Sequence, residues 1–364
     1  MGLVRKETAE KISYQELEIA TAATDLHYKL EPGLEKRFGK VGRKACLQGV
    51  RNHLAYLSEA ILASSPALFK DYVTWAQEKL AARNIPANEL AVNLNCVKEV
   101  LAQRLPIENY VIAAKFMNSA LLQLEKKVTK QSSYLREDAP YSKLAYEYLQ
   151  QLLGGDRSKA SKLILKEVEG GASVKDIYLH VFQPVQYEIG RLWQQDKLSV
   201  AQEHFCSAAT QLIMSQLYAH VSGSEKTGHK LVAACVTGDL HEIGLRMVSD
   251  FFEMEGWNTY YLGANTPKRS IIKTLREHKP DLLLLSATMT YHLHELTDLI
   301  ASIQADAALS QVKVMVGGYP FNAATNLWEE VGADACAADA AEAVEKANIL
   351  VTDTSGLVQK RKSK

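Results

Sequence analysis

The stretch GDLHEIG, residues 238–244, decides the fold. It follows an unbroken apolar run, KLVAACVT (230–237), and precedes an amphipathic run, LRMVSDFFEMEG (245–256). A strand that ends and a helix that begins at one tight turn predict a βα unit. The turn carries Asp239 and His241, two residues apart, and βα turns at the carboxyl ends of strands are where α/β sheets bind ligands.

The same alternation of apolar runs and helical patterns continues to residue 352. Strands are predicted at 231–237, 258–263, 281–288, 312–318 and 333–339. Five βα units predict a Rossmann-like, doubly wound parallel sheet of the flavodoxin-like type over residues 230–352. The polar and glycine positions of this block fall at strand ends: Asp239, His241 and Gly244 after the first strand, Ser286 and Thr288 at the third, Gly317 and Gly318 at the fourth.

Two helical blocks precede the predicted sheet, so the chain is expected to be multidomain, α and α/β. Residues 141–222 predict a four-helix bundle, with helices at 141–153, 157–169, 174–194 and 199–221. Asp156 and Ser173 are N-cap candidates, and Ser199 with Gln202 predicts a capping box. Residues 1–130 predict a separate all-helical domain of five helices.

Composition excludes several classes of protein. The chain has 364 residues, 42 basic and 42 acidic side chains, so no net field favours nucleic acid or a membrane surface. The N-terminus lacks the apolar core of a signal peptide, and no apolar run is long enough to span a bilayer. Five cysteines without a CxxC pair suggest neither disulfides nor zinc. A cytoplasmic protein without membrane or direct nucleic-acid partners is expected.

An aspartate two residues before a histidine can accept the N–H of one imidazole nitrogen and so orient the other toward a metal. The alternative is that Asp239 caps the following helix and His241 is a surface residue. The ordered set of strand-end residues resembles the cobalamin-binding domain of the methionine synthase type, with DxHxxG at Asp239, His241 and Gly244. The resemblance implies base-off cobalamin with His241 as the lower ligand of cobalt. It also implies that the cofactor's nucleotide tail lies in a slot between the serine motif, Ser286 with Thr288, and the paired glycines, Gly317 and Gly318.

The bundle carries a second pattern, Trp193 followed after nine residues by Glu203 and His204. It resembles the Wx9EH motif of light-sensing adenosylcobalamin regulators, which implies adenosylcobalamin with these residues over its upper face. The alternative is a core tryptophan and a solvated first helical turn. One position departs from the family: Gln194 stands where the regulators have the histidine that captures cobalt after photolysis. The bis-histidine photoproduct of that family is therefore not expected here, unless His204 or His180 takes the place of that histidine.

The N-terminal block shows no winged-helix pattern, and in combination with the bundle it resembles the photocobilins, cobalamin photoreceptors that also bind biliverdin. The resemblance implies cations for the propionates, donors for the pyrrole edges and aromatic walls. The candidates are Arg37, Arg43 and Arg51 for the propionates, His53 and Tyr56 as donors, and Tyr72 and Trp75 as walls. The alternative is a basic solvated face with a core histidine.

These resemblances predict a cytoplasmic light sensor that binds small-molecule chromophores, forms a homo-oligomer with a light-dependent state and has no catalytic residues of its own. The alternative is a corrinoid carrier subunit of a methyltransferase system. A third hypothesis is a scaffold that stores cobalamin.

Overall fold

The computed structural model describes residues 2–125, 132–221 and 225–362, with side chains through residue 352. The chain forms two compact units. The first comprises Met1–Lys130 with two short segments from later in the sequence, Met289–His294 and Ala323–Glu330. The second comprises Gln131–Thr288, Glu295–Asn322 and Val331–Lys364.

The first unit has six helices in its described N-terminal part, one more than predicted, because the chain interrupts its first helical stretch at Gln15. They are α1 (Gly2–Tyr14), α2 (Glu16–Leu30), α3 (Gly33–Leu62), α4 (Pro66–Ala82), α5 (Ala87–Arg104) and α6 (Ile107–Leu124). Helix α3 bends at Gly39, whose φ of 57° is not helical. Its apolar stripe, Val50, Leu54, Leu57 and Ile61, is buried in the core.

The second unit begins with the predicted bundle. Its helices are α7 (Ser142–Leu153), α8 (Arg157–Glu169), α9 (Val174–Ile177), α10 (Gln183–Gln194) and α11 (Val200–Leu217). The predicted caps are confirmed, since Asp156 and Ser173 accept backbone N–H groups and Ser199 forms the capping box with Gln202.

The helix predicted at 174–194 is not uniform. A π-helical turn, Tyr178–Phe182, joins α9 to α10, and the N–H of Gln183 donates to the carbonyl of Tyr178. Tyr178 and Phe182 are fully buried, and the Tyr178 hydroxyl donates to Oδ2 of Asp250 at 2.8 Å. The turn therefore carries a polar contact between the bundle and the α/β part of the same unit.

Five parallel strands complete the second unit: β1 (Lys230–Cys235), β2 (Asn258–Gly263), β3 (Leu282–Ser286), β4 (Lys313–Gly317) and β5 (Ala335–Cys336). Between and after them lie α12 (Ile243–Met254), α13 (Lys268–His278), α14 (Leu293–Gln304), α15 (Tyr319–Ala323), α16 (Leu327–Glu330) and α17 (Ala340–Lys362). The predicted fold class, helical blocks followed by a Rossmann-like parallel sheet, is confirmed.

The strand order is β2-β1-β3-β4-β5, so the connections reverse direction between β1 and β3. The ends of three strands lie side by side, with Cys235 paired to Ser286 and Ser286 to Gly317. In open α/β sheets the crevice at such a reversal point is where ligands bind. The GDLHEIG turn and the serine and glycine positions therefore meet at one edge of the sheet.

None of the helices in the described ranges combines the length and the apolar content that crossing a bilayer requires.

Candidate functional site

Asp239 is the fixed point of the site. It is fully buried, and its Oδ1 lies 2.8 Å from Nδ1 of His241 and accepts the His241 backbone N–H at 3.0 Å. Its Oδ2 accepts the backbone N–H of Thr288 at the end of β3. One carboxylate therefore holds the histidine ring and joins the two loops at the reversal point of the sheet.

His241 has the exposure and orientation that a metal ligand needs. Its side chain is 56% exposed although its partner is completely buried. The hydrogen bond that His241 donates to Asp239 raises the pKa of His241 against the opposing effect of burial, and the charge of Glu203 adds to the increase. Because Nδ1 is engaged by Asp239, Nε2 is the ring nitrogen through which His241 would bind a metal.

Sequence reasoning missed Glu242, which anchors the other side of the same turn. Its Oε2 accepts hydrogen bonds from the Tyr261 hydroxyl at 2.9 Å and the Ala264 N–H at 3.0 Å, and its Oε1 accepts from Nε2 of Gln211 at 3.0 Å. Gln211 lies on bundle helix α11, so Glu242 links the bundle to the strand ends. No local pattern marks this role, because all three partners are distant in sequence.

Asn265 was also missed, although its own sequence offers a signal. It adopts a positive φ of 46°, and its Oδ1 accepts the N–H of Gly238 at 2.7 Å. An asparagine directly after a predicted strand, in ANTP, is a typical residue for such a left-handed position. Asn265 fixes the start of the GDLHEIG turn from the neighbouring loop.

The serine and glycine positions lie where the sequence placed them. Ser286 is buried at the end of β3, and Thr288 is half-buried in the loop that follows. Gly318 has a φ of 109°, and a Cβ there would lie 2.1 Å from the carbonyl oxygen of Ala287. Gly317 has only an ordinary contact, 3.6 Å to the carbonyl oxygen of Ala337, and a Cβ at Gly244 would meet open space. Gly318 is thus required by the backbone, whereas Gly244 and Gly317 leave room.

The predicted upper-face residues belong to the bundle of the same unit. Trp193 is half-buried near the end of α10 and packs against the core. Glu203 and His204 bond to each other in the first turn of α11, with 2.5 Å between Oε2 and Nδ1, and Ser207 donates to Oε1 of Glu203 at 2.9 Å. The side chain of His204 is 74% exposed. Glu203 is less exposed, at 29%, and its charge also acts on His241, so the pair lies near the candidate cobalt ligand.

The two histidines that could replace the photoproduct histidine, His204 and His180, lie in different elements of the bundle. Gln194 is the last residue of α10. His180 lies in the π-helical turn, where its ring stacks on Tyr141 at 6.3 Å between centroids.

The biliverdin candidates in the first unit are engaged with one another or with carboxylates. Each arginine forms an ion pair: Arg37 with Glu89, Arg43 with Asp25, and Arg51 with Glu16. Nδ1 of the buried His53 lies 2.7 Å from the Tyr72 hydroxyl, and burial lowers the pKa of His53 to about 4. Tyr72 stacks on Tyr56 at 3.9 Å and on Trp75 at 6.0 Å. These aromatic residues pack as a core.

The histidine oriented by a buried aspartate, at the reversal point of a parallel sheet that follows a four-helix bundle, fits base-off cobalamin: His241 would be the single protein ligand, and Gly244 leaves open space beside it. The geometry therefore defines a corrinoid-binding protein. Two family models, each described as a B12 binding domain, match residues 229–348 and 144–218. Neither match includes the N-terminal helices.

Known corrinoid proteins resemble most of the second unit. Dimethylamine corrinoid protein 1 of Methanosarcina acetivorans is 31% identical over 214 residues, which cover 56% of this chain and 98% of the relative. Dimethylamine corrinoid protein 3 of the same organism is 34% identical, over 45% of this chain and 76% of the relative. The solved monomethylamine corrinoid protein of Methanosarcina barkeri shares the fold, with a TM-score of 0.52 and 23% identity, over 57% of this chain and 98% of that one. The chain belongs to this family of B12-binding corrinoid proteins.

The predicted photoreceptor function is wrong. The relatives are methylamine corrinoid proteins, and they support the alternative, a corrinoid carrier. The interpretation rested on Trp193, Glu203 and His204, and the relatives give no support for a photoreceptor. Cobalamin binding itself is supported by both family models.

Proposed function

We propose that this chain is the corrinoid carrier of a methyl-transfer system, a protein that holds the cofactor for partner enzymes and is not itself the catalyst. The support comes from its relatives, which are dimethylamine and monomethylamine corrinoid proteins. A methylated amine is therefore the first class of methyl donor to test, and a methyltransferase is the expected partner.

The observation that carries the proposal is the hydrogen bond between Nδ1 of His241 and Oδ1 of Asp239. When bound, the cofactor supplies a cobalt atom that can accept and release a methyl group. His241 would hold that cobalt through Nε2, with Ser286 and Thr288 beside the nucleotide tail. Asp239 keeps the ring in one orientation and retains the proton of Nδ1, which makes Nε2 a better donor.

The bundle contacts the GDLHEIG turn and the helix that follows it. Gln211 on α11 donates to Glu242, and Arg246 on α12 donates to Ser215 on α11 at 2.8 Å. These contacts hold the bundle against the GDLHEIG turn.

Finer features stay predictions. Trp193, Glu203 and His204 predict the adenosyl form of the cofactor, whereas a methyl carrier is expected to accept methylcobalamin at least as well. Biliverdin binding at Arg37, Arg43, Arg51, His53, Tyr56, Tyr72 and Trp75, a homo-oligomeric state and a cytoplasmic location likewise await measurement.

The decisive experiment is a methyl-loading assay. The chain is loaded with cobalamin, reduced, and incubated with a methylated amine and a corrinoid-dependent methyltransferase for that amine. The visible spectrum should show methylation of the bound cofactor, and the His241→Ala chain should lose it. If no methylated amine or other methyl donor changes the spectrum while cobalamin stays bound, the carrier proposal fails and storage of cobalamin becomes the better explanation.

A further inference from the structure

The first unit contains a cavity of about 390 Å³ whose wall comes mostly from N-terminal helices that neither B12 binding match includes, although two wall residues, Tyr291 and His294, lie within the match at 229–348. Helix α3 provides most of its wall, with contributions from α1, α2 and the segment Met289–His294. The volume lies within the range of cavities that hold small molecules.

One wall residue has a hydrogen-bonding group without a partner. Ser58 is 3% exposed, and its Oγ makes no hydrogen bond to any residue in the described part of the chain. A buried hydroxyl without a partner costs free energy, so such groups in folded proteins are normally paired. Because Ser58 lines the cavity, a ligand is a natural source of that partner.

The charges of the wall favour a cation. Arg51, the wall's arginine, is already paired, since its guanidinium donates to both carboxylate oxygens of Glu16 at 2.7 and 3.3 Å. Glu59, next to Ser58, is 7% exposed and accepts the backbone N–H of His294 at 3.0 Å, with Nδ1 of the same residue at 2.8 Å. Two carboxylates thus face one arginine and one histidine.

Burial raises the pKa of Glu59, which means that ionising this carboxyl group inside the wall costs free energy. Its hydrogen bonds and its electrostatic interaction with His294 recover only part of that cost, since the net direction remains upward. A cationic ligand close to Glu59 would recover more of it.

The wall also offers an aromatic surface. Tyr291 lines the cavity, and its ring packs edge-to-face against Tyr56 at 5.6 Å between centroids. Tyr56 in turn stacks on Tyr72, so the Tyr291 ring lies against a rigid aromatic group. Alkylammonium ions bind well to aromatic rings beside carboxylates.

We propose that this cavity binds a small organic ammonium ion, with its nitrogen near Glu59 and Ser58 and its alkyl groups against Tyr291. The proposal does not rest on the corrinoid-carrier function, because it uses only residues of the first unit. It assigns a ligand-sensing or ligand-delivering role to the first unit, most of which the B12 binding matches leave out.

The test is isothermal titration calorimetry of the full-length chain at pH 8 with trimethylammonium chloride, and with sodium acetate and sodium chloride as ionic controls. Saturable binding of trimethylammonium, without binding of acetate, is expected. Absence of saturable binding, or stronger binding of acetate, would overturn the proposal.

Three variants localise the site. Glu59→Gln should weaken trimethylammonium binding at least about 10-fold, and Ser58→Ala about 3-fold to 10-fold, because each removes one polar contact to the ligand. Glu35→Gln, on an exposed position of the same helix and away from the cavity, should bind like the original chain. Ser58→Ala removes an atom that has no hydrogen-bond partner among the described residues, so it should keep the fold and remains informative if Glu59→Gln unfolds. Unchanged affinity in folded Ser58→Ala would overturn the proposal.

Discussion

The ring of His241, 56% exposed, is held by the completely buried carboxylate of Asp239 across 2.8 Å. The other oxygen of the same carboxylate accepts the backbone N–H of Thr288, so Asp239 also contacts the loop after β3. Asp239, which is fully buried, therefore fixes the position of a metal bound to His241 relative to the sheet.

Replacing His241 by alanine should weaken cobalamin binding strongly and shift the spectrum of the bound cofactor away from the base-off, His-on form, because no nitrogen remains for the lower face. Titration monitored by visible absorption measures both effects. His220→Ala, at an exposed position at the end of the bundle, is the matched control and should bind like the original chain. An unchanged spectrum in the His241 variant would remove the assignment of the lower ligand.

Asp239→Asn should weaken cobalamin binding by about 10–100-fold while leaving cobalt coordinated by His241, since residues that orient a metal-binding histidine typically contribute that much. The affinity is measured by the same titration, and circular dichroism checks the fold. A loss as large as that of His241→Ala, with the fold intact, would show that Asp239 does more than orient the ring.

Gly318→Ala should lower the free energy of unfolding by about 2 kcal/mol or more, because it combines a positive φ with a contact of 2.1 Å to a backbone oxygen. Gly317→Ala is the matched comparison. Its Cβ would make only an ordinary contact at 3.6 Å, so stability should be nearly unchanged and any loss should be in cobalamin affinity. Equal stability of the two variants in urea unfolding would contradict this account.

Asp250 predicts a pH effect on stability. Burial, as the largest cause, raises the pKa of Asp250 to about 6, although the Tyr178 hydroxyl and Arg246 oppose the increase. A carboxyl group whose pKa is raised in the folded state stabilises the fold at pH values below its pKa in the unfolded chain. That contribution is lost as the pH rises through the pKa of the folded state, here about 6. The stability of Asp250→Asn relative to the original chain should therefore increase by about 2 kcal/mol between pH 4.5 and 7.5.

The control for this effect is Asp306, because the hydrogen bond from Arg276 lowers the pKa of Asp306 below its usual value. Both its folded and unfolded pKa then lie below pH 4.5, so Asp306→Asn should show no such change over the same range. Urea unfolding at pH 4.5, 6 and 7.5 measures both variants. A flat profile for Asp250→Asn would mean that its carboxyl group titrates normally.

A fragment that begins at residue 132 should fold and bind cobalamin with the affinity of the full chain. The reason is that Dimethylamine corrinoid protein 1 aligns over 98% of its own length to only 56% of this chain. Equilibrium titration of both proteins gives the comparison. Trimethylammonium binding should be absent from the fragment, and retention of that binding would place the ammonium site elsewhere.

The sheet could be predicted from sequence because its signals are local. The apolar runs predicted as strands at 231–237, 281–288 and 312–318 each contain an observed strand, which ends one or two residues earlier, at Cys235, Ser286 and Gly317. The strand predicted at 333–339 is only Ala335–Cys336, which pairs with Met315 and Val316 of β4.

What could not be predicted depends on contacts between distant residues. Glu59 and His294 are 235 positions apart, and Glu242 meets Gln211 and Tyr261 from two different elements. The pattern of Glu203 and His204 is local in sequence, and these two side chains bond to each other, so their contact with a cofactor stays a prediction. The spacing of residues in the sequence alone does not show which side chains meet in the folded chain.

The π-helical turn at Tyr178–Phe182 has a consequence for how the bundle tolerates insertions and deletions. Such a turn is in effect an α-helix with one additional residue, and each residue rotates the helix by about 100°. Deleting His180, a half-buried member of the turn, would restore a regular helix and swing Trp193 about a quarter turn or more around the axis of α10. The indole would then leave its place against the core. The number of residues in this one turn therefore determines which direction the side chains at the end of α10 face.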